Sequence, residues 1–121
     1  MFQIIFNEIS AAEISQLPTL VQLELLDEFK VTPEDLEESD GEIFGSIERK
    51  GRKLYRFRTN EYRIYFAVED GNVVVHRVLH KNTFQDFLYR STNLPVHEDE
   101  ALKNSKHFWK LIEEGENARR T

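Results

Sequence analysis

The first third of the chain alternates between strand-like and helix-like hydrophobic spacing. Alternate apolar residues over Phe2–Phe6 predict a short edge strand. Helices are expected at Ser10–Gln16, Pro18–Phe29 and Pro33–Ser39. The first can be capped by Ser10, the second opens with a proline, and a Thr-Pro pair opens the third. In the longest of these, the apolar side chains expected to face the core are Leu20, Val21, Leu23, Leu25, Leu26 and Phe29.

The middle of the chain changes to a period of two. Residues Arg52–Arg58, Tyr62–Val68 and Val73–His80 alternate, and the Asp70-Gly71 pair between the last two is a strong hairpin signal. The pattern predicts three antiparallel strands in meander order. One face is apolar and packs on the helices, while the other carries three arginines: Arg56, Arg58 and Arg63.

Helical spacing returns towards the C-terminus. We predict helices over Thr83–Arg90 and Glu98–Glu114, the second of which ends at Gly115. Its apolar side, which includes Phe108 and Trp109, either completes the core or covers a groove that a partner helix uses. The expected organisation is a domain over residues 1–92 with a C-terminal helical extension over 93–121.

The charge is divided unevenly along the chain. The total is −6, but residues 1–43 carry eleven acids and one base, whereas residues 44–92 carry ten bases and five acids. This asymmetry indicates an anionic partner for the basic middle, beside the simpler interpretation that the acidic front is a solvated helix face. The chain has no cysteine, no apolar run long enough for a membrane span and no secretory signal, so a cytoplasmic protein is expected.

No nucleotide-binding, metalloprotease or hydrolase motif is present in the sequence. His76 and His80 are four apart, which on a strand separates them by about 13 Å, too far to share an ion. We therefore predict neither a metal nor a cofactor.

The arginine face is the candidate site. Arginine suits bidentate phosphate contact, and three guanidinium groups on adjacent strands repel one another unless an anion or a carboxylate lies between them. Tyrosines such as Tyr65 interleave with these bases, which suits RNA binding, and Arg52 and Lys53 extend the set. The alternative is that the arginines pair with Glu48, Glu61 and Glu69; the RNA hypothesis requires them to be free of internal carboxylates.

Cleavage of RNA by its own 2′-hydroxyl needs proton transfer and cations but no metal. Histidine is the side-chain type suited to either proton role near neutral pH, which makes His80 the candidate, and Lys81 beside it supplies a further cation.

Three stretches of the chain, taken in order, resemble the RelE/ParE superfamily, the toxin components of bacterial toxin–antitoxin pairs. They are the Leu-Pro and Val-Gln words at 17–22, the Tyr-Arg words at 55–56 and 62–63, and the strand ending in His80-Lys81. The resemblance covers about residues 2–90.

The resemblance implies an α+β fold in which a helical hairpin packs on one face of a mostly antiparallel four-stranded sheet, here with an added C-terminal helix. For the RelE branch it implies a translational repressor: a ribosome-dependent mRNA endoribonuclease without a metal, neutralised by an antitoxin. By position, the implied catalytic residues are Arg63, Arg56, His80 and Lys81, and Arg52, Lys53, Arg58 and Tyr65 are expected to bind RNA.

The sequence also departs from the family pattern. Leu79 replaces a glycine, Lys81 an arginine, and Phe87 aligns with an expected tyrosine. These departures keep two alternatives open: a RelE-fold binding module or ribosome-associated regulator that has lost the chemistry, and a ParE-like inhibitor of DNA gyrase.

Overall fold

The computed structural model describes residues 2–38, 41–83 and 95–121, with only the backbone at 95–97. The elements in chain order are β1 (Gln3–Phe6), α1 (Glu8–Ser15), α2 (Thr19–Glu28), α3 (Pro33–Glu37), β2 (Phe44–Arg49), β3 (Arg52–Arg58), β4 (Tyr62–Glu69), β5 (Asn72–His80), α4 (Pro95–Lys103) and α5 (Lys106–Glu116). The expected helix at Thr83–Arg90 lies almost wholly outside the described residues, and the expected domain boundary at 92/93 stays a prediction.

The sheet has five strands, not the four that were expected. Their order is β1-β5-β4-β3-β2, with β1 parallel to β5 and every other pair antiparallel. The meander of β3, β4 and β5 is confirmed, as are the edge position of β1 and the α+β class. The unexpected strand is β2, where Gly45 and Ser46 weaken the hydrophobic alternation although Gly45 and Ile47 are both buried.

Helices α1, α2 and α3 lie against the first face of the sheet. Ile14 of α1, Leu25 of α2 and Phe29, which directly follows α2, pack with sheet residues such as Phe57 and Phe66 in one apolar cluster. The predicted inward side of α2 is wrong in part, since Leu20, Leu23 and Leu26 are exposed. A helix that packs on one side only buries a narrow stripe, and the five apolar residues among the ten of α2 exceed it.

Helices α4 and α5 lie against the second face, so the C-terminal extension completes a second core. Its apolar members are Ile47, Leu54, Tyr65, Leu79, Leu102, Phe108, Trp109 and Ile112. The single predicted helix is two, because Ser105 leaves helical geometry and its side chain caps α5 at Phe108 N. Gly115 does not end α5 but lies within it, against the carbonyl of His76.

Local signals set several element ends. The α1 cap is Asn7, not Ser10; Ser10 sits three residues later and completes a capping box with it. The Thr32 cap of α3 and the Asp70-Gly71 hairpin turn are confirmed, and both turn residues have positive φ. The strands that carry the three arginines, β3 and β4, are joined by the short connection at 59–61, which the Thr59 N–H closes by donating to the Tyr62 carbonyl.

Candidate anion site beneath the C-terminal helices

Three arginines lie on the second face of the sheet, at the end next to α4. Arg58 pairs directly with Arg63 across β3 and β4, and Arg56 pairs with Tyr65 two residues away. Directly opposed side chains share a face of a sheet, so the register places the guanidinium groups side by side. The predicted placement of Arg56, Arg58 and Arg63 on one face of the sheet is confirmed.

Arg56 is enclosed. Only 1% of it is exposed, and its Nε and Nη2 donate to the two carboxylate oxygens of Asp99, each at 3.0 Å. Its remaining donors reach the backbone carbonyls of Gly41, Glu42 and Ile43 at 2.8–3.1 Å. Every donor nitrogen of Arg56 is therefore committed to holding α4 and the segment before β2 onto the sheet.

Arg58 and Arg63 converge on one carboxylate. Nε of Arg63 donates to Glu98 Oε1 at 3.0 Å, while Nη1 of Arg58 lies 3.4 Å from Oε2 of the same glutamate. Arg63 also donates to the carbonyls of Thr59 and Tyr62, but Arg58 Nη1 is buried without a hydrogen-bond partner among the described residues. Glu98 thus sits where the two cations would hold any shared anion.

The cluster holds an excess of positive charge. Three guanidinium groups face the two carboxylates of Glu98 and Asp99, and burial and then Arg63 are the main causes that lower the pKa of Arg58. Burial also raises the pKa of Asp99, because desolvation outweighs what the hydrogen bonds from Arg56 return.

The expectation of an open arginine face is wrong. Arg63 is 5% exposed, and α4 covers all three side chains. The pairing partners are not the expected acids either: Glu69, for example, pairs with Arg120. The physical reason is that Glu98, in the first turn of α4, and Asp99, the residue after it, partly neutralise a patch that the strands alone would leave repulsive.

His80 and Lys81 are not brought to this cluster. His80 is opposite Tyr62, and the two rings meet edge to face with centroids 5.3 Å apart on the first face of the sheet, whereas Arg63 is opposite Leu79 on the second. Lys81 follows the end of β5 and is exposed, with its N–H donating to the Glu61 carbonyl.

The expected RNA-binding residues are also dispersed. Tyr65 is 1% exposed and lies under Phe108, and burial raises its pKa above the ordinary value, so in this conformation it offers no surface for stacking. Arg52 and Lys53 lie at the start of β3, about 20 Å from Arg58 at the rise of a strand. Lys53 covers the ring of Tyr55 on the first face, 5.1 Å from its centroid.

Gly45 and the acidic pair of α4 are the functional residues that sequence reasoning missed. A side chain at Gly45 would meet the Arg56 guanidinium, so this glycine makes room for it. The acids were recognised only as favourable first-turn residues of a helix. The available signal was the surplus of arginine on one sheet face, which demands nearby carboxylates.

Two further observations bound the site. Within residues 2–38, 41–83 and 95–121, no group of three or more histidines and acids is placed to hold a metal ion, and no helix is long and apolar enough to cross a membrane. Phe87, which the resemblance aligns with a tyrosine, lies outside the described residues.

The fold resembles that of a bacterial toxin–antitoxin protein. One chain in the crystal structure of the toxin–antitoxin complex RelBE2 from Mycobacterium tuberculosis superposes with a TM-score of 0.50 and 19% identity, and the match covers 66% of this chain and 98% of that one. No protein-family model matches the chain, and no curated protein matches it. The likeness supports a RelE-like fold, to which this chain adds about a third of its length.

Proposed function

We propose that the protein is a RelE-like toxin that represses translation by cutting mRNA on the ribosome without a metal, and that an antitoxin neutralises it. The condition that the arginines be free of internal carboxylates is not met in the conformation described here, because Glu98 and Asp99 pair with them. The proposal is therefore of a toxin that is latent until Glu98 is displaced. The supporting observation is the convergence of Arg58 and Arg63 on the single carboxylate of Glu98.

A carboxylate presents two anionic oxygens to guanidinium groups, as a phosphodiester does. Glu98 therefore occupies the position proposed for the scissile phosphate. Arg63 and Arg58 have the role of binding that phosphate and stabilising the charge that develops on it. Arg56 is given a positioning role, because its donors are already used within the fold.

The antitoxin partner is proposed from the resemblance and from the likeness to a chain of a toxin–antitoxin complex. The contributions of His80 and Lys81 to proton transfer are part of the proposal. His80 reaches the cluster only if the end of β5 moves, because its ring lies on the other face of the sheet.

The test uses a purified translation system and primer extension on the mRNA. Glu98→Gln removes the competing charge and keeps the side-chain shape, so we expect codon-specific cuts on ribosome-bound mRNA, more frequent than with the wild-type protein. Glu98→Gln combined with Arg63→Ala should abolish them. Folded Glu98→Gln protein that gives no cuts would overturn the proposal.

A second candidate is a binding module that keeps the fold and has lost the chemistry. The observation that favours it is the complete enclosure of Arg56 by Asp99 and three carbonyls, in a space that Gly45 leaves free. Under this proposal, expression of the wild type and of Glu98→Gln leaves growth unchanged, while affinity purification recovers the same partner with both.

A further inference from the structure

A basic cleft of about 250 Å³ opens between the β2–β3 turn and α5. We propose that this cleft binds the phosphate backbone of RNA, as an anchoring site separate from the arginine cluster beneath α4. The choice of RNA as the polyanion rests on the proposed function. The basic cleft is lined by Arg49, Lys50, Arg52, Lys106, Lys110 and Trp109, with Glu113 at its side.

The charge of the basic cleft is opposite in sign to the net charge of the whole chain. Five of its lining side chains are cations and one is an acid, although the whole chain carries a net charge of −6. Cations gathered on two facing walls raise the local concentration of an anion, whatever the sign of the total charge. With Arg56, Arg58 and Arg63 paired internally, accessible positive charge is concentrated here instead.

The cations of the cleft are largely unpaired. Arg52 pairs with Glu116 and lies over the Trp109 ring, with Cζ 5.7 Å from the ring centroid. The other four make no ion pair within the described part of the chain. Their charges are therefore available to a ligand.

Two rigid elements hold these groups. Lys50 and Gly51 form the β2–β3 turn with φ of 52° and 78°, which keeps the lysine at the tip of the hairpin. Lys106 and Lys110 are four residues apart on α5, so they lie one helical turn from each other on the same side. The spacing suits successive phosphates of a strand better than a single small anion.

Phosphate contact, not base stacking, is the mode that the basic cleft supports. Trp109 is only 7% exposed and Arg52 already covers its ring, so it gives no free stacking platform. The cleft is about 20 Å along β3 from Arg58, so it stays open while Glu98 occupies the other site. We therefore expect the latent protein to bind RNA without cutting it.

The experiment is fluorescence anisotropy of a labelled 12-nucleotide single-stranded RNA with the full-length protein, titrated at several salt concentrations. The test variant is Lys106→Glu with Lys110→Glu, and the control is Lys30→Glu with Arg119→Glu, which makes the same change of net charge away from the cleft. We expect the test variant to bind the RNA at least tenfold more weakly. The slope of log affinity against log salt concentration should also fall in magnitude by about 1.4, since each contacted phosphate of a single strand contributes about 0.7.

Equal affinities of the test variant and the wild type, with both folded by circular dichroism, would overturn the inference. So would equal losses in the test and control variants, which would report net charge alone. Anionic phospholipid vesicles that bind more tightly than RNA would also overturn it. If RNA binding depends on the cleft but Glu98→Gln does not cut mRNA, only the proposed nuclease function is refuted. If Glu98→Gln cuts mRNA but RNA binding does not depend on the cleft, only this inference is refuted.

Discussion

On its first face the sheet is covered by helices whose buried side chains form an apolar core, with one carboxylate, Glu13 of α1, paired to Arg77. On its second face α4 brings two carboxylates into a cluster of three arginines. The first core joins Phe29, Phe57 and Phe66 by ring contacts at 5.1–5.5 Å. The second core continues at one end into the cluster of Arg56, Arg58 and Arg63 with Glu98 and Asp99.

The helical layers on the two faces differ in the interactions that hold them to the sheet: mainly apolar contacts on the first face, and ion pairs as well as apolar contacts on the second. Apolar burial does not depend on the protonation state of the buried groups, so it stabilises at any pH. A buried cation is tolerated only while its carboxylate stays in place, and removing one partner costs far more than the pair contributes. The second layer is thus the one that a change of charge can release.

The largest effect is expected for Phe66→Ala in the first core. Phe66 is fully buried between Phe29 and Tyr55, so its truncation should lower the free energy of unfolding by about 3–5 kcal/mol. Urea denaturation measures it. Leu23→Ala, at an exposed position on α2, should change stability by less than about 0.5 kcal/mol, and similar losses from both would break the comparison.

Asp99→Ala should cost about 3 kcal/mol, because it leaves the Arg56 guanidinium buried beside three carbonyls and no carboxylate. Denaturation midpoints of this variant and of Asp27→Ala, whose side chain is exposed, give the measurement. Asp99→Asn keeps one acceptor and should lose less. A negligible change on Asp99→Ala would show that Arg56 does not depend on α4.

His76 gives the second layer a dependence on pH. Burial lowers its pKa from 6.5 to about 4, and its Nδ1 has no hydrogen-bond partner among the described residues. Since the unfolded chain binds the proton more tightly, stability falls as the pH drops from above 6.5 towards 4, by roughly 2–3 kcal/mol at pH 4.5.

Urea denaturation at pH 8 and pH 4.5 tests this, with His76→Gln as the comparison because it cannot take up a proton. The variant should lose less stability on acidification than the wild type by that amount. Parallel pH profiles for the two proteins would contradict the assignment to His76.

The smallest effect is expected at the helix caps, where the two layers should behave alike. Ser105 accepts from Phe108 N at the start of α5, and Thr32 accepts from Asp35 N at the start of α3. Alanine at either position should cost about 1 kcal/mol in thermal or chemical unfolding. A much larger loss for Ser105→Ala would indicate that the cap also holds α4 against the arginines.

Sequence reasoning reached the parts of the fold that local pattern determines. The three strands from Arg52 to His80 and the helix after Pro18 follow from alternation, helical spacing and turn chemistry. The strand at Phe44–Arg49 was not predicted. Gly45 is buried there because the Arg56 guanidinium fills the space beside it, and hydrophobic alternation does not report such a contact.

The candidate site was predictable only in part for a related reason. Periodicity on β3 and β4 put Arg56, Arg58 and Arg63 on one face, but it contained nothing about which distant segment covers that face. Glu98 and Asp99 follow Arg63 by 35 residues or more, and pairing at that separation is decided by tertiary packing. The face of the sheet on which His80 lies could not be predicted for the same reason. It depends on the bulge in the β4–β5 register near Tyr65 and Phe66.

Gly45 is a position at which a substitution would disturb the arginine cluster without changing any charge. A methyl group added there would lie 2.8 Å from Arg56 Cζ and 2.9 Å from an Asp99 carboxylate oxygen, closer than carbon tolerates. Gly45→Ala would therefore force the Arg56 guanidinium or the Asp99 carboxylate to shift while every ionisable residue remained in the sequence. The lack of a side chain at this position of an edge strand gives the buried Arg56–Asp99 pair the space it occupies.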